Sequence, residues 1–140
     1  MRTACPAVAV LLLALVLGAC GESAEDKAQT TVCDARTDIG DQVDKLKSLT
    51  PATVTTDEVR QSLDAIKSDL QQISGAQKGL GSDRRDEVES ANKAFASSID
   101  GIAGEVLKSL SASDAKAALV TALQQLGTAY EKAFEPVDCD

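Results

Sequence analysis

The chain reads as an all-α protein, an antiparallel four-helix bundle with an up-down-up-down course. Three observations predict it. Between Val32 and Phe134 apolar residues recur at alternating spacings of four and three, the period of a helix face. No run of alternating β-branched residues bounded by turn signals competes with that rhythm. The breaks between the four periodic stretches are short, so successive helices return beside one another.

The first predicted helix runs from about Thr31 to Leu49 and turns Val32, Ala35, Ile39, Val43 and Leu46 inward. Asp34, Asp38, Asp41 and Asp44 fall on its other side. Without the glycine and terminal Glu of a Ca²⁺ loop, this carboxylate row reads as a solvated face. Thr50 and Pro51 end the helix, because the residue before proline avoids the helical region.

The second helix has the best-marked start. Thr55 with Glu58 three residues on forms a capping-box pattern, and Val54 and Val59 stand where a hydrophobic staple would. Val59, Leu63, Ile66, Leu70 and Ile73 then trace the seam of a heptad. Gly75, Gly79 and Gly81 predict a helix stop and a turn, with Leu80 turned inward; Lys78 precedes Gly79, so the phosphate-loop order of residues is not met.

The third helix is expected from Ser82 or Asp83 to about Ser109, with Val88, Ala91, Phe95, Ile99, Ile102, Val106 and Leu110 inward. Asp83, Asp86 and Glu87 complement its N-terminal dipole. Gly101 and Gly104 interrupt it at roughly 0.8–1 kcal/mol each relative to alanine. Together with Ala94, Ser97 and Ser98 they form a strip of small residues, which implies either close packing on a neighbouring helix or a groove for a ligand. The fourth helix starts at Ser111 or Ser113, buries Ala115, Leu119, Ala122, Leu123, Leu126, Tyr130 and Phe134, and stops at Pro136.

Ahead of these helices the chain opens with Arg2, an apolar stretch from Ala7 to Leu17, and Leu17, Gly18, Ala19 and Cys20. A short basic start, an apolar core and small residues before a cut site make a secretory signal, and the core is shorter than the roughly 20 residues of a spanning helix. The last four residues resemble the lipobox of bacterial lipoproteins. That resemblance implies cleavage before Cys20 and a diacylglycerol or acyl lipid on its thiol. It implies further a location on the extracytoplasmic face of the cell membrane. The domains expected are thus a signal over 1–19, a lipidated cysteine and flexible tether over 20–30, and a helical domain over 31–140. The tether would reach ~33–36 Å at full extension.

Of the four cysteines, Cys5 then leaves with the signal and Cys20 takes lipid, so Cys33 and Cys139 remain. In an oxidising compartment that pair is expected to form a disulfide clasping the two ends of the bundle. Bonded cysteines have Cα atoms about 4.4–6.8 Å apart, whereas an odd number of helices would leave the ends a helix length apart. An even number brings them together.

Composition narrows the function. Removing 19 of 140 residues leaves 121, and Arg2 is lost, so 13 basic residues stand against 22 acidic ones, a net −9. Such a surface does not suit nucleic acid, whose phosphates need Lys and Arg. With no His and no unassigned Cys, the usual acid–base and thiol chemistry is missing, and no enzyme, metal site or cofactor is expected. The expectation is a lipid-anchored, non-catalytic interaction or accessory module of the cell envelope with an envelope protein as partner, docking at a far tip around Thr53 and Ala112. The alternative is a binder or sensor that holds an apolar ligand between the third and fourth helices beside Gly101 and Gly104.

Overall fold

The structure is a computed structural model that describes residues 21, 23–109 and 113–139, with only the helical backbone given for 105–109 and 113–114. Four helices follow one another: α1 Ala24–Lys47, α2 Thr56–Ala76, α3 Ser82–Ser109 and α4 Ser113–Phe134. A 3₁₀ turn, Gln77–Gly79, joins α2 to α3, and there is no strand among the described residues. The all-helical class is as the apolar rhythm predicts. Ser111 and Ala112 in the last connection, Val106 and Leu110 as core side chains, and Cys20 with the whole lipobox lie outside what is described.

α1 begins well before Thr31. The expected flexible tether over residues 20–30 is corrected here, since residues 24–30 form the first turns of that helix. Ser23 is its N-cap: the Ser23 hydroxyl accepts from the Asp26 N–H at 3.1 Å, and the Asp26 carboxylate accepts from the Ser23 N–H at 3.1 Å. This reciprocal box satisfies two of the donors that a helix start leaves unpaired. The Ser23 hydroxyl, and then the Ser23 backbone N–H, also hold the Asp26 carboxyl below the usual carboxylate range. Ala28 extends the buried row of Val32, Ala35, Ile39, Val43 and Leu46 back by one turn.

α1 stops where Pro51 approaches. The Val54 N–H donates to the Thr50 carbonyl at 2.9 Å and the Thr50 N–H donates to the Thr53 hydroxyl at 2.9 Å, so the connection is a closed turn. Thr55 caps α2 by accepting from the Glu58 N–H at 3.3 Å, and Val54 and Val59 are both buried beside it. α2 runs through Gly75 to Ala76, so Gly79 and Gly81 rather than Gly75 mark the reversal. Leu80 is buried as expected.

α1 packs against α2 and α4, and α3 packs against the same two helices. The shared core is one cluster whose fully enclosed side chains include Ile39, Leu46, Ile66, Ile73, Phe95, Ile99, Leu123, Leu126 and Phe134. Phe95, Tyr130 and Phe134 meet in it with ring centroids 5.2–5.8 Å apart, two of the three pairs edge to face. These are all the aromatic residues the chain has. No ring is left to make a stacking platform on the surface.

Candidate interaction surfaces

The end of the bundle where α1 begins is fastened most heavily. Cys33 in α1 and Cys139 beyond α4 form the expected disulfide, with Cα atoms 5.6 Å apart across 106 positions of sequence. Arg36, one turn further along α1, works in two directions. Its guanidinium donates to the Val137 carbonyl at 2.9 Å, and its own carbonyl accepts the Tyr130 hydroxyl at 2.7 Å. Val137 is itself buried, so the C-terminal strap is seated by packing and hydrogen bonding as well as by sulfur. Burial pushes the Tyr130 phenol above its ordinary range, against the opposing effect of Arg36. The reversal between α2 and α3 lies at the same end: the Gly81 N–H donates to Glu25, and Arg84 donates to Gln29, both on α1. A chamber of ≈ 20 Å³ behind the disulfide, between Val32, Leu80 and Val137, has room for about one water molecule.

At the other end, Thr53 is exposed in the turn after α1, and its hydroxyl is held by Thr50. Ala112, its expected companion at the far tip, lies outside the described residues. The carboxylates of Asp34, Asp38, Asp41 and Asp44 all belong to exposed residues on α1. Among the described residues no group of three or more Cys, Asp and Glu side chains could hold a metal ion.

The small-residue strip of α3 divides into two parts. Gly101 and Gly104 are exposed, and a Cβ built on either would meet nothing within 4 Å. Among the described residues no side chain packs on these two glycines, so α3 presents them to open space there rather than to a closely packed neighbour. Ala94 and Ser98 instead border a valley of ≈ 650 Å³ between the first half of α3 and the last turns of α4. Ala91, Ala129 and Ala133 line it with methyl groups, and Asp86, Glu87 and Lys132 stand on its rims. The cause lies in α4. Tyr130 and Phe134 fill its inner contact with α3, but on the outer flank of that contact it carries Ala129 and Ala133, so the two helices leave a trough instead of a ridge.

A smaller recess of ≈ 280 Å³ lies between α2 and α3, over Leu70, Ala96 and Ile99. Asn92 forms its back. It is only 7% exposed, and its amide N–H₂ donates to the Leu70 carbonyl at 3.1 Å and to the Ser74 hydroxyl at 3.2 Å. The residue was not expected at the core. Its place in the sequence signals it, since Val88, Asn92, Phe95 and Ile99 keep the four-three rhythm with a polar residue at one step. The amide oxygen is buried without a hydrogen-bond partner. Lys67 of α2 and Asp100 of α3 pair at 3.7 Å across the recess mouth.

Among the described residues no helix is long and apolar enough to cross a membrane. Compared with protein-family models, with curated proteins and with solved structures, the chain matches none.

Proposed function

We propose that this chain is an exported bacterial lipoprotein. It is held on the extracytoplasmic face of the cell membrane by an acyl lipid on Cys20, and it serves as a non-catalytic helical interaction module for another envelope protein. One observation carries the reading: the apolar run closing on Leu17, Gly18, Ala19 and Cys20 stands four residues ahead of a folded helical domain. The disulfide between Cys33 and Cys139 supports it, because structural disulfides belong to oxidising compartments.

We propose further that the helices run alternately up and down. Gly79 beyond α2 lies against Ala28 near the start of α1, Lys67 of α2 pairs with Asp100 of α3, and Tyr130 of α4 bonds to Arg36 of α1. Between α2 and α3 the contacts run from Ser74 with Asn92 to Lys67 with Asp100, and between α4 and α1 from Tyr130 with Arg36 to Gly127 with Lys47, so one helix advances as the other returns, as antiparallel neighbours require. The disulfide end then faces the membrane and the turn holding Thr53 faces away.

The early start of α1 changes the geometry of anchoring. From Cys20 to Ala24 the chain can span at most ~14 Å, so the module stands close to the bilayer rather than swinging on a long leash. A non-catalytic role is supported by the residue content. The chain has no His, and its one tyrosine hydroxyl is engaged with the Arg36 carbonyl. The reading is tested by the intact mass of the native protein extracted from membranes of its own host, before and after reduction. The expected mass is that of Cys20 to Asp140 plus acyl chains, rising by two hydrogens on reduction. An unacylated species lacking the signal sinks the anchor.

A second reading, a sensor of a small apolar ligand, is favoured by the valley between α3 and α4. Ligand sites of that kind enclose about 70–90% of the ligand surface, and this valley is a surface trough. Retention of an apolar fluorescent probe by the native protein, lost in Ala94→Glu, would decide for it.

A further inference from the structure

We infer that the valley between α3 and α4 is the docking site for one α-helix of the partner protein. That helix presents small side chains inward, carries Lys or Arg on the flank over α3, and carries a carboxylate on the flank over α4. The inference rests on the interaction-module reading and deepens it by naming the surface and the chemistry of the partner.

The middle of the valley is lined by methyl groups, Ala91 and Ala94 from α3 and Ala129 and Ala133 from α4. Helix axes approach to 8–10 Å according to the side chains at the contact, so an alanine lining admits a third helix at the close end of that range. Along α3 the lining runs from Asp86 to Ser98, roughly 18 Å at 1.5 Å per residue. That length accommodates a little over three turns of a docked helix.

The rims set polarity. Asp86 and Glu87 on the α3 side and Lys132 on the α4 side are exposed and of opposite sign. Opposite charges on the two rims favour one orientation of a helix with complementary flanks and reject the reverse, in which like charges face each other. Gly101 and Gly104 follow further along α3, with open space among the described residues where a Cβ would be.

The test is site-specific photocrosslinking in the full-length, acylated protein in cells of its own host, with the photoreactive residue at Ala94, at Ala129 or at Thr53. The expected result is adducts at Ala94 and Ala129 with a single protein, mapped to a helical segment bearing Lys or Arg at the contact. The double reversal D86K/E87K is expected to lower the yield about tenfold, and reversing the partner's basic residues is expected to restore it. Ala94→Glu, at an exposed position, gives a second block that leaves the core untouched; helical circular dichroism and the unfolding midpoint verify both variants. Adducts at Thr53 alone overturn the valley and leave the interaction module standing. Adducts to lipid, to a second copy of this chain, or to an acidic or non-helical segment also overturn it. No adduct at any of the three positions removes the interaction module as well.

Discussion

Tyr130 and Asp69 have side chains that α4 and α2 turn inward, where hydroxyl and carboxylate must each find a partner. The Tyr130 hydroxyl donates to the Arg36 carbonyl at 2.7 Å and the ring stays packed between Phe95 and Phe134. Tyr130→Phe keeps the ring and removes the bond, so urea unfolding should show a loss of about 1 kcal/mol with unchanged helix content. Asp69 is 8% exposed, accepts from the Gln72 amide at 3.1 Å, and feels Asp38 across from α1. Burial, and then Asp38, push its carboxyl above the ordinary carboxylate range. The folded state therefore holds the proton more tightly than the unfolded chain does, and ionised Asp69 weakens the fold at pH values above that raised pKa. Asp69→Asn should raise the unfolding midpoint at pH 7, and the gain should vanish as pH falls below the unfolded carboxylate range. An equal gain at pH 3 and pH 7 would refute the linkage. The apolar rhythm signals that Tyr130 lies in the core, whereas Asp69 falls outside the seam it traces along α2. It does not show which carbonyl or carboxylate waits opposite, because partners 94 positions apart in sequence leave no local pattern.

Glycines separate what one helix specifies from what its neighbours impose. Gly101 sits in the interior of α3 with open space where a Cβ would be, so Gly101→Ala should stabilise the protein by about 1 kcal/mol through helix propensity alone. Gly79, in the turn after α2, would place a Cβ 2.9 Å from the Ala28 Cβ, a clash that only a backbone shift relieves. Gly79→Ala should cost about 1–3 kcal/mol. Parallel thermal melts of the two variants test both signs at once. The seam of α2 and its start at Thr55 were legible because each is a local pattern of spacing and capping. The first turns of α1 fall outside the apolar rhythm although Ser23 and Asp26 carry the cap and Ala28 continues the row to Val32. A run of small and charged residues hides a helix whose inward face needs only one alanine per turn.

For the molecule as a whole, the disulfide and the C-terminal strap close a loop that takes in most of α1 and all of α2, α3 and α4. A crosslink over 106 positions is worth up to about 4–5 kcal/mol in chain-entropy terms. The strap is held independently by Arg36 and buried Val137, so reduction should leave the helices formed in buffer. It should still lower the urea midpoint by an amount corresponding to about 3–4 kcal/mol. Circular dichroism before and after reduction checks the first expectation and urea titration the second; loss of helix on reduction alone would show that the apolar core cannot hold the chain by itself.

Composition and local spacing determined the helical class, most of the inward faces, and the expectation of a bond between Cys33 and Cys139, because each is set by short-range periodicity or by counting. Tertiary structure alone decided that Gly101 and Gly104 face open space, that Asn92 ties α3 to α2, and that the trough between α3 and α4 is lined with alanine. These depend on which side chains of different helices come level with one another. Helical period fixes the face a residue occupies; the axial register and rotation of neighbouring helices, set by packing of the whole core, fix what that face meets.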